Sequence, residues 1–218
     1  MQMVQVQQRS AYEILEEQLP RSVNDVLVAM DKHTAAFIKD ASGMEDEDEL
    51  RQFACAVQET LMNEDAQAVT IGIGEVARNV GELHASYRQA RRAIEIGRVY
   101  APERSIHVYR SMMLERFLSD LSPEMAEHYH GLLFNRSTAR LFGEEMLYTI
   151  EMFFKKDLNL SDTARQLYIH RNTLVYRLDK VQRQVGLDLR KFEDAVTFKM
   201  LLEMRNCGNN KTKAKKAH

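Results

Sequence analysis

Before about residue 110, apolar side chains recur both at every second position and at every third or fourth; after it, only the helical spacing remains. A stretch patterned at period two cannot bury its apolar side as a helix, nor one at period 3.6 as a strand. The change therefore divides the chain into a mixed first half and an all-helical second half. In the first half, Met3, Val4 and Val6 suggest a strand, and helical sequence from Arg9 to Gln18 stops at Pro20. Val26–Met30 and Thr34–Ile38 predict two strands around a polar turn at Asp31-Lys32-His33. Leu50, Phe53, Ala54, Val57 and Leu61 form a helical stripe behind the acidic run 45–49, where negative charge suits a helix N-terminus. Val69, Ile71 and Ile73 alternate as a strand does. Leu83, Tyr87, Ala90 and Ile94 predict a helix closed by Gly97, and Ile106–Tyr109 predicts a last strand. The order β-α-β-β-α-β-α-β predicts an α+β sandwich with helices against a mainly antiparallel sheet.

The second half predicts helices over Met112–Leu121, Glu124–Phe134, Ala139–Lys156, Ser161–Tyr168, Asn172–Val185 and Phe192–Arg205. Its charge differs as well. Residues 1–110 hold 12 Lys+Arg against 18 Asp+Glu, while residues 111–218 hold 18 against 14. Such asymmetry suits a second half that meets a polyanion. Lys211, Lys213, Lys215 and Lys216 supply part of the excess, and a solvated end explains those four equally well. With 44% hydrophobic and 28% charged residues the composition is that of a globular protein. No apolar run has the length of a membrane span, and the start lacks the basic and apolar regions of a secretory signal. Cys55 and Cys207 form no paired motif, which argues against a disulfide framework or zinc site and for a reducing, cytoplasmic setting.

Residues 159–181, Asn-Leu-Ser-Asp-Thr-Ala-Arg-Gln-Leu-Tyr-Ile-His-Arg-Asn-Thr-Leu-Val-Tyr-Arg-Leu-Asp-Lys-Val, have the spacing of a helix-turn-helix. Ser161 is the expected N-cap of the first helix. Ala164 is small where the second helix must cross closely, and Leu167 and Ile169 bracket the turn. Leu174, Leu178, Val181 and Val185 give the second helix a buried face. The opposite face then carries Arg171, Asn172, Thr173, Tyr176, Arg177, Lys180 and Arg183. These are groups that read base edges and hold phosphates. In a helix-turn-helix the start of the second helix meets the bases. Arg171, Asn172, Thr173 and Tyr176 are thus expected at the bases of double-stranded DNA, and Ser161, Thr163, Arg177 and Lys180 at phosphates. His170, at the helix start, contacts DNA or caps. A plain helical hairpin with a solvated basic side would show the same pattern, and the turn holds Tyr168 where glycine is common.

The segment Leu167-Tyr-Ile-His-Arg-Asn-Thr-Leu-Val-Tyr-Arg-Leu, followed by Gly186-Leu-Asp-Leu-Arg and a final helix, resembles the C-terminal domain of the carbohydrate diacid regulator and purine catabolism regulator (PucR/CdaR-like) family of transcription regulators. Ile71-Gly-Ile-Gly and Ser86-Tyr-Arg-Gln-Ala-Arg-Arg-Ala resemble that family's central domain, a degenerate relative of the diguanylate cyclase fold. The resemblance implies a GGDEF-like α/β sandwich over residues 1–109, a helical connector over 110–135, an all-α helix-turn-helix domain over 136–206 and a disordered basic tail over 207–218. It also implies a sequence-specific regulator, an activator of a catabolic pathway more than a repressor, whose small-molecule effector is bound by an upstream sensor domain absent from this chain. A single helix-turn-helix has a small footprint, so a homodimer or higher homo-oligomer is expected.

Catalysis is poorly supported. The hairpin at the position of a cyclase metal site, Ala29-Met-Asp-Lys-His-Thr-Ala, offers Asp31 alone, and two hard cations need several carboxylate oxygens. Gly72-Ile-Gly74 lacks the third glycine of a dinucleotide loop and suits a tight strand exit. His128 and His130 point apart on a helix, and His84 and His107 suit surface or capping positions. The twelve methionines suit adaptable packing. No enzyme activity, cofactor or metal is expected. A protein-interaction module without DNA binding, and a nucleotide-processing enzyme, remain as alternatives.

Overall fold

A computed structural model describes residues 10–42, 47–65 and 69–214, without the side chains of 47, 64–65 and 205–214. The strand expected at Met3–Val6 lies outside the described residues. The chain forms two compact units, Met1–Arg116 and Phe117–His218. The first is mixed α/β and the second helical, with the boundary inside a helix slightly beyond residue 110.

In the first unit, α1 (Ala11–Gln18) starts at Ser10, whose hydroxyl accepts from the Glu13 N–H while the Glu13 carboxylate accepts from the Ser10 N–H. This reciprocal pair satisfies two amides that the helix leaves open. The strands β1 (Val26–Asp31) and β2 (Thr34–Ile38) pair antiparallel from Val26 opposite Ile38, with an irregularity between Ala29 and Asp31. The Asp31 carboxylate accepts the His33 N–H at 2.7 Å and so shapes the hairpin turn. Leu27 joins Ile14 and Leu15 of α1 and Val57 and Leu61 of α2 (Glu47–Asp65) in one core. Beneath the hairpin, the Asp25 side chain is 1% exposed and holds Lys39 at 2.9 Å and the N–H groups of Ser22 and Asp40. Burial pulls its pKa upward, but the hydrogen bonds and Lys39 win and set it below the ordinary value.

The second strand pair departs from the expected antiparallel sheet. β3 (Ile71–Ile73) and β4 (Ile106–Val108) run parallel, joined through α3 (Leu83–Tyr100), and are separate from β1–β2 among the described residues. A parallel neighbour needs a crossover of about a dozen residues or more, which α3 supplies. The glycines have a use beyond the expected strand exit. A Cβ on Gly72 would lie 2.1 Å from the Ala90 carbonyl oxygen, and one on Gly74 at 2.1 Å from that of Ser86. They let the strand and its exit, which falls at Gly74 just past Ile73, lie against the α3 backbone. Gly97 is not a C-cap either. It sits inside α3, whose cap is Ala101, and its missing side chain makes room for the His107 ring. His107 is buried rather than at the surface.

The helical unit begins within α4 (Met113–Asp120) and continues through α5 (Pro123–Leu133), α6 (Glu144–Lys155), α7 (Leu160–Gln166), α8 (Arg171–Val185) and α9 (Phe192–Ala214). Phe153, Phe198, Ile150, Leu174, Leu178, Val181 and Leu189 are fully buried in its core. α5 packs along α9, so it belongs to this unit's body rather than to a linker. α6 starts later than expected, because residues 135–142 form a separate turn. α9 continues to Ala214, so the segment from 207 expected as a disordered tail is helical through 214. Asn and Gly there disfavour a new helix, but extending a nucleated one costs far less than starting it. Residues 215–218 lie outside the described residues. Among the described residues no helix is long and apolar enough to cross a membrane.

Candidate nucleic-acid interface

α7 and α8 form the two helices of the predicted motif, and their junction is tight. The cap of α7 is Asn159, not Ser161: its side-chain oxygen accepts from the N–H groups of Ser161 and Asp162 at 3.0 and 3.1 Å. Asparagine is as good a cap as serine, so the helix starts one residue earlier. Ser161 is left exposed in the first turn. Tyr168 occupies the turn at φ 53°, a left-handed conformation that a bulky residue rarely adopts, with its side chain 95% exposed. Ile169 N–H returns to the Ala164 carbonyl at 3.0 Å and closes the turn.

His170 caps α8 through Nδ1, which accepts from the Asn172 N–H at 3.2 Å. With Nδ1 so engaged, Nε2 is the nitrogen left for another partner. Arg171, Asn172, Thr173, Tyr176, Lys180 and Arg183 are all exposed, while Leu174, Leu178 and Val181 are fully buried. α8 ends at Gly186, whose φ of 78° makes the left-handed cap that glycine supplies without strain.

Two residues expected at phosphates are placed elsewhere. Thr163 is fully buried, and its hydroxyl donates to the Asn159 carbonyl at 2.7 Å. It lies on the inner side of α7 beside the buried Ala164, where the early start of the helix at Asn159 gives its hydroxyl a backbone partner. Arg177 is folded back onto α6. One guanidinium nitrogen donates to the buried Thr149 hydroxyl at 2.7 Å, and the other pairs with the Glu145 carboxylate. Position 177 lies at the edge of the buried face, one residue from Leu178, within reach of α6. A third set was not foreseen. Arg190, just past α8, bonds Asp188 at 2.6 Å, Asp179 at 2.8 Å and Gln182 at 2.9 Å. The Arg190 hydrogen bond holds the Asp188 carboxyl below its usual range. Asp188 and Arg190 belong to the Gly186-Leu-Asp-Leu-Arg segment already noted, but the bonds of Arg190 back to α8 depend on a loop path that sequence spacing does not give.

This geometry defines a helix-turn-helix protein, with an exposed polar and cationic helix braced from α6 on one side and from the following loop on the other. Residues 146–204 match the PucR C-terminal helix-turn-helix domain, and residues 2–96 match a GGDEF-like domain. The chain thus resembles, in both of its domains, regulators of the PucR/CdaR-like type. It is 24% identical over 140 residues to the purine catabolism regulatory protein of Bacillus subtilis (strain 168), covering 64% of this chain and 26% of that one. The carbohydrate diacid regulator of Escherichia coli (strain K12) is 28% identical over 138 residues, 62% of this chain and 35% of that one. The DNA-binding transcriptional activator AdeR of Bacillus subtilis is 24% identical over 166 residues, 72% and 39% of the two chains. The chain thus spans between about a quarter and two fifths of the length of these curated relatives. A solved structure, the regulator of polyketide synthase expression from Bifidobacterium adolescentis, aligns with 92% of this chain and 77% of its own at 17% identity and a TM-score of 0.35. Among the described residues no group of three or more His, Cys, Asp or Glu side chains converges as metal ligands would.

Proposed function

We propose that the chain is a sequence-specific DNA-binding transcription regulator, acting without enzymatic chemistry as an activator of a catabolic pathway. The observation that carries this reading is the split surface of α8. Leu174, Leu178 and Val181 are fully buried, while Arg171, Asn172, Thr173 and Tyr176 stand exposed at the helix start. A helix fixed by its core side and capped by His170 presents those four groups to a major groove with little ordering left to do on binding. Ser161, His170 and Lys180 flank them and serve phosphates, whereas Arg177 holds α8 in place. The named relatives include one activator and one regulator of purine catabolism, which supports the sign and the pathway type. Two copies on a two-fold site give the footprint that one motif lacks, so the functional unit is a homodimer, with the effector sensed outside these two units.

Selection of bound duplexes from a random library tests the reading. The native chain enriches one motif. Arg171→Ala and Asn172→Ala retain weak, salt-dependent binding but lose the preference, since each good base contact is worth about 1–3 kcal/mol of discrimination. Recovery of no motif by the native chain, or binding indifferent to salt, would sink it.

A further inference from the structure

We propose that the turn between α5 and α6 is a second duplex-contacting site, where Arg136 and Arg140 clamp the phosphate strand that follows the Thr173–Lys180 flank of α8. The proposal rests on the reading of α8 as the DNA-reading helix. It adds a site outside the matched helix-turn-helix domain, which begins at residue 146.

The turn is rigid by its own bonds. Thr138 Oγ1 donates to the Leu133 carbonyl at 2.7 Å and accepts the Asn135 N–H at 3.0 Å, while Asn135 Oδ1 accepts from the N–H and hydroxyl of Ser137. The N–H groups of Ala139 and Phe142 return to the carbonyls of Asn135 and Thr138, so the segment winds like a helical turn. Thr138, Leu141 and Phe142 are buried on its inner side. Arg136 and Arg140, four residues apart, therefore share the outer side, where both are exposed. Among the described residues neither arginine is paired with a carboxylate.

The turn is also fastened to α8. Gln184 Nε2 donates to the Ser137 carbonyl at 3.3 Å. Thr173, Lys180 and Gln184, spaced by seven and four residues, lie in one row along α8. The row that starts with Thr173 beside the base-reading positions and passes Lys180 thus leads into the turn. Two arginines held on a stiff scaffold at the end of such a row suit phosphate oxygens, which the planar guanidinium binds bidentately. An acidic protein surface would also attract them, but nothing would then explain their attachment to this flank.

The test measures binding of the full chain to its selected duplex as salt is varied, for the native protein, Arg136→Ala/Arg140→Ala and Arg136→Lys/Arg140→Lys. The alanine pair is expected to flatten the slope of log affinity against log salt by about 1.8 per bound protomer, two contacts at about 0.9 each. Affinity should fall tenfold or more at about 0.1 M salt, alike on the selected and an unrelated duplex, and the lysine pair should keep the native slope. A folded alanine pair with native slope and affinity overturns the proposal and leaves the reading of α8 standing. Loss of sequence preference in the alanine pair also overturns it, because the turn would then act by placing α8. A native chain with no salt-dependent duplex binding removes both.

Discussion

At the level of single residues, Arg177 separates two kinds of cation that look alike in sequence. Its guanidinium spans the buried Thr149 hydroxyl and the exposed Glu145 carboxylate, so its charge is already answered within the protein. Lys180, three residues on, is exposed. Arg177→Ala should therefore destabilise the helical unit by about 1.5–3 kcal/mol in urea unfolding, the range for a hydrogen bond to a charged group. It should weaken DNA binding without changing the salt slope. Lys180→Ala should leave stability nearly unchanged and flatten the slope by about 0.9 per bound protomer. A flattened slope for Arg177→Ala would return that residue to the phosphates. The exposed positions of α8 were legible because helical periodicity alone sorts Leu174, Leu178 and Val181 from Asn172 and Tyr176. Arg177 was not, since it lies at the margin of a buried face and its partners, 28 and 32 residues away, are fixed by packing; nor was Thr163, whose burial follows from a helix start at Asn159 that the competing caps left open.

At the level of elements, the starts and ends of helices and the use of glycine follow contacts more than composition. Asn159 and Ser161 are both good caps in isolation, and only the bonds to the first-turn amides show which one is used. Asn159→Ala should cost about 1 kcal/mol of stability, and Ser161→Ala much less. The glycines divide in the same way. A Cβ at Gly97 would lie 2.2 Å from the His107 ring, within the packed α3–β4 contact. Gly97→Ala should destabilise the first unit by about 1–3 kcal/mol, the usual cost of overpacking. A Cβ at Gly131, inside α5, meets nothing within 4 Å. Gly131→Ala should stabilise by about 0.5–1 kcal/mol, because alanine favours the helix interior. Thermal unfolding of the two variants checks both signs. The existence and type of these elements were legible from periodicity, down to the limits of β2. The parallel β3–β4 pairing was not, since alternation shows which face of a strand is buried but not which way its neighbour runs.

For the whole molecule, two units with separate cores answer to acid in different pH windows, and the buried histidine makes this measurable. His107 lies in the first unit against Gly97, and desolvation, helped by nearby Arg104, pushes its pKa below the usual histidine value. The folded state thus holds the ring neutral where the unfolded chain would protonate it, so the stability this neutrality carries is complete above the ordinary value of 6.5. It drains away as pH falls from there toward the folded value, because the unfolded state binds more protons in that interval. The depressed Asp188 of the helical unit has the same sign in a lower window, beginning near its ordinary value of 3.8. Acidification from pH ~7.5 to ~5.5 therefore calls on His107 and not on Asp188. Hydrogen exchange at β3 and β4 amides, such as the Ile71 N–H that bonds the Ser105 carbonyl at 2.7 Å, reports the opening of the first unit once corrected for intrinsic rates. Protection there should fall over that range in the native chain and fall less in His107→Gln, whatever the variant's stability at neutral pH. Equal losses in the two proteins would show that His107 does not set the acid response of its unit.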